Sequence, residues 1–339
     1  MNKIDSKLLM ILLTNLQSKI SEMLDDELDY FLDMTKEELK EIISYYYKLG
    51  GKRLRPTLFV ALANAFECRE DINPYSLVIE LIHTMSLYHD DVIDDAYERR
   101  GAPTVHIKWD VPTAIVGGDV LHSLVHGHLL NALKQERLKN KDFVIRFLSD
   151  LTHFVELEIG NAVLLEMKYA KTNTIPTLDE SMKMTASKTA PLFAFSASAA
   201  AYLSEKTINT VDAMYQMGWN LGFAFQLLDD IGDYFESDKD IGGDLREDKK
   251  TPILVMINEK YPAELRHYRE IDTLTTADIE KFKIQFKDIF LEIISIIKRK
   301  LQKASEGLEF IPSNEGKDQV QAIFKLMELK NNKFLELLK

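Results

Sequence analysis

The sequence predicts an all-α fold, on three observations. Apolar residues recur at three- and four-residue spacing along almost the whole chain, as the core face of an amphipathic helix requires. Alternating Val/Ile/Thr runs with tight hairpin signals are nearly absent. Breakers at Leu49-Gly50-Gly51, Ile72-Asn73-Pro74, Gly101-Ala102-Pro103, Asn173 to Pro176, Gly242-Gly243 and Ile311 to Gly316 divide the chain into about ten or more helices. No low-complexity linker separates them, so a single domain over 1–339 is expected.

Composition narrows the function. Of 339 residues, 46% are hydrophobic, ample for a large core. Forty-two Lys and Arg against 54 Asp and Glu give a net charge of −12, which disfavours nucleic acid and anionic membrane surfaces. An anionic ligand therefore needs a local basic site or bridging cations. The single cysteine, Cys68, excludes an intramolecular disulfide and fits a reducing compartment. The start, MNKIDSKLLMILLTNL, is too short an apolar run to span a bilayer and has no small-residue cleavage site. A cytoplasmic protein is expected. Met184 to Ser204 is about long enough to span, yet Lys188, Pro191 and several Ser and Thr make it a buried helix instead.

Taken along the chain, the first chemical feature is GGKRLRP, residues 50 to 56. Lys52, Arg53 and Arg55 precede Pro56, a natural first helical residue, and a cationic helix start after a glycine pair is an anion site. Arg can grip phosphate oxygens with two parallel bonds. A merely solvated basic loop is the plain alternative. The next helix, SLVIELIHTMSLY, is mostly apolar and runs into HDDVIDD, with His83 two turns ahead of Asp90 on one face. Arg99 and Arg100 follow in ERRGAPT, near enough to face a ligand held there, or to pair locally with Asp94, Asp95 or Glu98.

HSLVHGH, residues 122 to 128, places His122 and His126 four apart but lacks the glutamate of H-E-x-x-H, so packing or interface roles are expected over zinc. Lys188 is the only charge in MTASKTAPLFAFSASAAA, where it either meets an anion or snorkels to solvent. Pro191 is expected to loosen the local ladder, letting Thr189 and freed carbonyls face a ligand. Met214 to Leu228 carries no charge and then ends in LLDDIGD. KDIGGDLREDKKT, residues 239 to 251, reads as a mobile lid bringing Lys239, Lys249 or Lys250 onto a polyanion.

Two apolar helices thus close in the same D-D-x-x-D: Asp90, Asp91, Asp94 and Asp229, Asp230, Asp233. Residues four apart share a helix face, so each cluster concentrates repelling charge. Hard divalent cations relieve it, and Mg²⁺ shares itself between carboxylates and phosphate oxygens. A solvated acidic helix end would explain one copy. Two copies, each ending an uncharged helix, point to a diphosphate held through metal ions.

Together, GGKRLRP, ELIHTMSLYHDDVIDDAYERRGAPTVH, SKTAPLF, FAFQLLDDIGDY and DIGGDLREDKKT resemble the trans-isoprenyl diphosphate synthases, also called polyprenyl synthetases. They stand in the family's order over most of residues 45 to 255. The resemblance implies an all-α bundle of isoprenoid synthase type around a deep central cavity, a homodimer, and three Mg²⁺ ions. It places an allylic prenyl diphosphate on metals held by Asp90, Asp94, Asp229 and Asp233, with Arg99, Lys188, Lys239 and Lys249 touching it directly. Isopentenyl diphosphate falls to Lys52, Arg55, His83 and Arg100. Thr189, Gln226 and the Lys188 carbonyl face the allylic cation. The chain departs from the family where G-Q-x-x-D or G-E-x-x-Q is common: Gly160-Asn161-Ala162-Val163-Leu164 leaves the last polar position apolar. The lid also reads D-K-K-T-P-I in place of G-K-x-T-L-P.

The resemblance also bears on product length, set by how far the growing tail descends ahead of the first cluster. One helical turn, about 5.4 Å, is close to one isoprene unit. Family members that stop at C15 carry bulky aromatics where this chain has Met85 and Ser86, so a C20 product, geranylgeranyl diphosphate, is expected, before longer chains or C15. A class I terpene cyclase needs no second-substrate site, against Lys52, Arg55 and Arg100. A non-catalytic partner subunit typically loses aspartates that are complete here.

Overall fold

The computed structural model describes residues 6–33, 35–172, 174–236, 241–271 and 273–339. In order, α1 is Ser6–Asp33, α2 Glu37–Lys48, α3 Leu54–Ala65 and α4 Asn73–Ile93. A small ladder of β1 (Glu98–Arg99) and β2 (Ala102–Pro103) precedes α5 (Val105–Lys108), α6 (Val111–Lys134) and α7 (Lys141–Leu151). A π-helical turn, Thr152–Glu156, leads into α8 (Leu157–Thr172), followed by α9 (Leu178–Leu203) and α10 (Ile208–Phe235). Then come α11 (Gly243–Arg246), α12 (Pro252–Lys260), α13 (Pro262–Arg269), α14 (Thr276–Gln285), α15 (Lys287–Ser305) and α16 (Glu315–Leu337). The all-α expectation holds, and the breaks fall where the breakers stand. Among the described residues the departure is the ladder, which pairs Glu98 with Pro103 and Arg99 with Ala102. Arg100 and Gly101 both take positive φ, as a two-residue hairpin turn demands.

The chain divides into two compact units. The first holds Met1–Ser149, Ala199–Ile208 and Pro312–Val320; the second holds Asp150–Ser198, Asn209–Ile311 and Gln321–Lys339. In the first, α4 lies along α6 and also packs on α1 and α3. Leu77 to Ile82 are all buried, so this stretch of helix is enclosed on every side. Pro74 in its first turn needs no intrahelical donor. At the other end Asp95 turns left-handed (φ 49°) and Ala96 N donates to Asp91 O at 3.0 Å, a Schellman-type stop. Asp tolerates that conformation because its short side chain bonds locally.

A buried polar network pins α1 to α6 in the same unit. Glu27, 4% exposed, accepts from Arg137 at 3.1 Å on Oε1 and 2.7 Å on Oε2, and His128 Nε2 lies 2.9 Å from Oε1. Arg137 also reaches Asp71 at 3.3 Å and stacks over the Tyr30 ring. Burial alone would raise the Glu27 pKa, but hydrogen bonds from His128 and Arg137 outweigh it and hold the carboxylate below its ordinary value.

In the second unit α9 and α10 approach backbone to backbone. A Cβ on Gly218 would sit 2.4 Å from Phe193 O, and one on Gly222 would sit 2.8 Å from Ala190 Cα. α9 continues through Pro191, whose missing N–H removes one rung of the ladder, as expected. Packing against α10 holds the turn that propensity would open. No helix of the described residues is long and apolar enough to cross a membrane.

Two outcomes follow from the packing. Because Glu27 titrates below its unfolded value, its contribution is complete above about pH 4.5 and drains as pH falls through the lower folded pKa. Glu27→Gln is therefore expected to flatten the acid limb of a Tm-versus-pH curve while lowering Tm at neutral pH. Gly218→Ala is expected to cost ~1–3 kcal/mol through overpacking, read by denaturant melts.

Candidate active site

The basic loop sits between α2 and α3. Gly51, at φ 156°, leaves room for the Arg100 guanidinium, whose Nη2 would lie 3.0 Å from an added Cβ. Arg53 takes a left-handed conformation, stacks over the Tyr47 ring at 4.5 Å and approaches Asp25 at 3.5 Å. Lys52 is exposed and its carbonyl accepts from Gln17 at 2.8 Å, while Arg55 lies in the first turn of α3. Arg100 Nη1 donates to the carbonyls of Gly50 and, at 3.3 Å, Tyr46. The hairpin thus carries Arg100 onto the glycine loop.

His83 faces this group from α4. Burial and the charges of Arg55, Arg100 and Arg99 push its pKa well below the usual imidazole range, so it is a neutral donor or acceptor. One turn earlier lies Glu80, 4% exposed, which the sequence reading did not single out. Burial raises its pKa against the opposing pull of Arg55, Arg53 and Arg100. A glutamate inside ELIHT carries no local mark of such neighbours.

The first aspartate cluster divides its labour. Asp90 is half-buried, Asp94 is the exposed cap of α4, and Asp95 serves the helix stop. Asp91 is 1% exposed and turned inward. It accepts from Arg99 Nε at 2.9 Å to both oxygens and from Arg99 Nη2 at 2.5 Å. Tyr46 OH donates to the same carboxylate. Arg99 therefore pairs eight residues back, not with Asp94, Asp95 or Glu98. Met85 and Ser86 are half-buried one turn ahead, and Ser86 Oγ donates to His83 O at 3.0 Å.

The second cluster, in the other unit, occupies the last two turns of α10. Thr189 Oγ1 donates to Gln226 Oε1 at 2.5 Å, and Gln226 Nε2 donates to Asp230 Oδ1 at 2.8 Å. Asp230 Oδ2 is buried with no hydrogen-bond partner. Burial, then repulsion from Asp229 and Asp233, raises the Asp230 pKa to about 7 against the pull of Gln226 and Lys188. Asp233 accepts from Gly243 N at 3.2 Å and Asp244 N at 3.1 Å, so it caps α11. Burial raises both Asp233 and Asp244.

Two expectations for the lysines are sharpened. Lys188 meets Glu166 at 2.5 Å, an acid two residues beyond the apolar Leu164. Leu164 itself is exposed, as is Asn161. In the lid segment, Lys250 is buried against Asp248 at 2.5 Å, whereas Lys249 stands 3.9 Å from Asp244 and 3.0 Å from Glu247. Lys249 is thus the lysine beside the acid cluster. Lys239 lies outside the described residues. His122 and His126 stack edge to face on α6, 4.9 Å between ring centroids.

An all-α chain that ends two apolar helices in D-D-x-x-D and leads another with a glycine-flanked basic loop has the build of an enzyme that handles diphosphates. The chain belongs to the polyprenyl synthetase family, whose sequence model matches residues 36–289, and it is a prenyltransferase. It is 34% identical over 230 residues to a geranylgeranyl diphosphate synthase of Saccharolobus solfataricus, covering 66% of this chain and 68% of that one. It is 31% identical to heptaprenyl diphosphate synthase component 2 of Bacillus subtilis, over 87% of this chain and 86% of that one. Among solved structures, geranylgeranyl pyrophosphate synthetase from Pyrococcus horikoshii superposes with a TM-score of 0.81 at 25% identity, covering 93% and 97%.

The Lys188–Glu166 pair sets a measurable expectation. A carboxylate in contact with Lys188 competes with any anion for it. Glu166→Gln is expected to tighten inorganic diphosphate binding about threefold to tenfold by calorimetry. Unchanged affinity would show that Lys188 does not meet the anion.

Proposed function

We propose that the chain condenses isopentenyl diphosphate with an allylic prenyl diphosphate, head to tail, and releases geranylgeranyl diphosphate. The observation that carries this reading is the doubled aspartate cluster at the C-terminal ends of α4 and α10. Both clusters serve one reaction in this reading, so the two compact units act as a single catalytic domain over 1–339.

The donor set fits Mg²⁺. Asp230 has a buried oxygen without a partner, and burial together with the charges of Asp229 and Asp233 raises its pKa. A hard divalent cation relieves both. Asp90, Asp94, Asp229 and Asp233 would hold the ions, three in all, which supply positive charge to a departing diphosphate. Around them, Arg99, Lys188, Lys239 and Lys249 bind the allylic diphosphate, and Lys52, Arg55, His83 and Arg100 bind isopentenyl diphosphate. A neutral His83 suits a donor beside arginines, since a charged imidazole would add repulsion.

The reaction asks for positioning and electrostatics. The allylic C–O bond breaks with its electron pair leaving on diphosphate, the isopentenyl double bond attacks the cation, and the proton lost from the adduct passes to the released diphosphate. Thr189 and Gln226 hold each other in place to face the cation, with Gln226 oriented by Asp230. No nucleophilic side chain is needed. Exposed apolar Ile115, Val116 and Leu130 on α6 support a homodimer.

Purified protein given isopentenyl diphosphate, farnesyl diphosphate and Mg²⁺ is expected to form a C20 diphosphate, to lose activity with chelator, and to sediment at twice the chain mass. No product of C20 or longer overturns the reading; longer products replace only the length. Met85→Phe, with a ring one turn ahead of the first cluster, is expected to shift the product toward C15 by chromatography.

A further inference from the structure

Tyr46 is fully buried in α2, packed on Tyr88 with 4.7 Å between ring centroids. Its hydroxyl uses both bonding capacities across the fold. It donates to Asp91 on α4, and it accepts from Val105 N at 2.9 Å, just past the hairpin. Its carbonyl accepts from Arg100 Nη1 at 3.3 Å. Asp91 in turn holds Arg99 by the three bonds already described, and at 1% exposure it cannot itself reach a ligand. The Arg99 side chain remains 30% exposed. Neighbouring Tyr45 supports the same hairpin, its hydroxyl donating to Pro103 O at 2.9 Å.

We propose that Tyr46 is a positioning residue for both diphosphate-binding arginines: through Asp91 its hydroxyl sets the Arg99 guanidinium, and through its carbonyl it sets Arg100. This rests on the assignment of Arg99 to the allylic diphosphate and Arg100 to isopentenyl diphosphate. A planar guanidinium pinned along one edge presents its other edge in a single orientation, which lowers the entropic cost of gripping a phosphate. Residues on α2, α4 and the start of α5 meet at one hydroxyl, so the strut ties three elements together beside the hairpin that carries the arginines.

The hydroxyl and carbonyl contacts of Tyr46 are chemically separable. Tyr46→Phe removes the hydroxyl and leaves ring, backbone and carbonyl in place. It is expected to raise KM for the allylic diphosphate about tenfold, with KM for isopentenyl diphosphate held within about twofold. A purely structural hydroxyl would lower Tm and the active fraction while moving neither KM, and that result overturns the inference. An equal rise in both KM values overturns it as well. Should Tyr46→Phe fail to accumulate, Asp91→Asn, which keeps side-chain volume but loses the charge holding Arg99, must give the same split. If the wild-type protein forms no prenyl product, the functional assignment falls while calorimetry with inorganic diphosphate still reads the strut. Weaker binding by Tyr46→Phe supports it, and unchanged binding overturns it.

Discussion

Carboxylates at the negative pole of a helix are in the wrong place electrostatically. The C-terminal carbonyls of α4 and α10 already concentrate partial negative charge, and this chain adds Asp90, Asp91, Asp94 and Asp95 to one and Asp229, Asp230 and Asp233 to the other. Much of what surrounds these ends manages that charge. Asp91 is cancelled by Arg99 and Tyr46, the Asp95 carboxylate is exposed to solvent, and Asp233 is bonded to the first amides of α11. What stays unrelieved is informative: Asp230 keeps a bare buried oxygen. Burial and its neighbours then raise its pKa toward neutrality.

Basic groups show the converse arrangement, with Arg99, Arg100 and Lys188 each held by the protein's own acid or carbonyl. Arg99 is forked onto Asp91, Arg100 lies on the Gly50 and Tyr46 carbonyls, and Lys188 meets Glu166. Such partners hold the cation ready and also compete with its ligand. A bidentate buried partner fixes orientation, whereas a half-exposed Lys–Glu contact yields to a stronger anion. Asp91 and Glu166 therefore differ in kind although both neutralise one charge.

Close packing is what makes this management possible. Gly218 and Gly222 bring α10 against α9, so Thr189 and Gln226 can bond directly and orient Asp230. Gly117 and Gly118 do the same for α6 against α4, where Cβ atoms would meet Ile42 at 2.9 Å and His89 at 2.5 Å. The glycines appear in sequence as costs to helix propensity. In the fold they allow the approach on which the polar contacts depend.

Fold class, breaks and family were legible in the linear chain, because helical periodicity, breakers and D-D-x-x-D act over a few neighbouring residues. Pairings that span long separations were not legible. Tyr46 reaches Asp91 across 45 positions and Lys188 reaches Glu166 across 22, and no local pattern records either. Likewise, Asp91 of HDDVIDD is buried while Asp94 and Asp95 are exposed, because a helix rotates successive side chains by about 100° and only packing decides which direction is inward. Sequence alone determined that this protein carries the chemistry of a prenyl diphosphate synthase. Tertiary structure decided which acids are committed to the protein's own arginines and helix ends, since that depends on which surfaces exclude water.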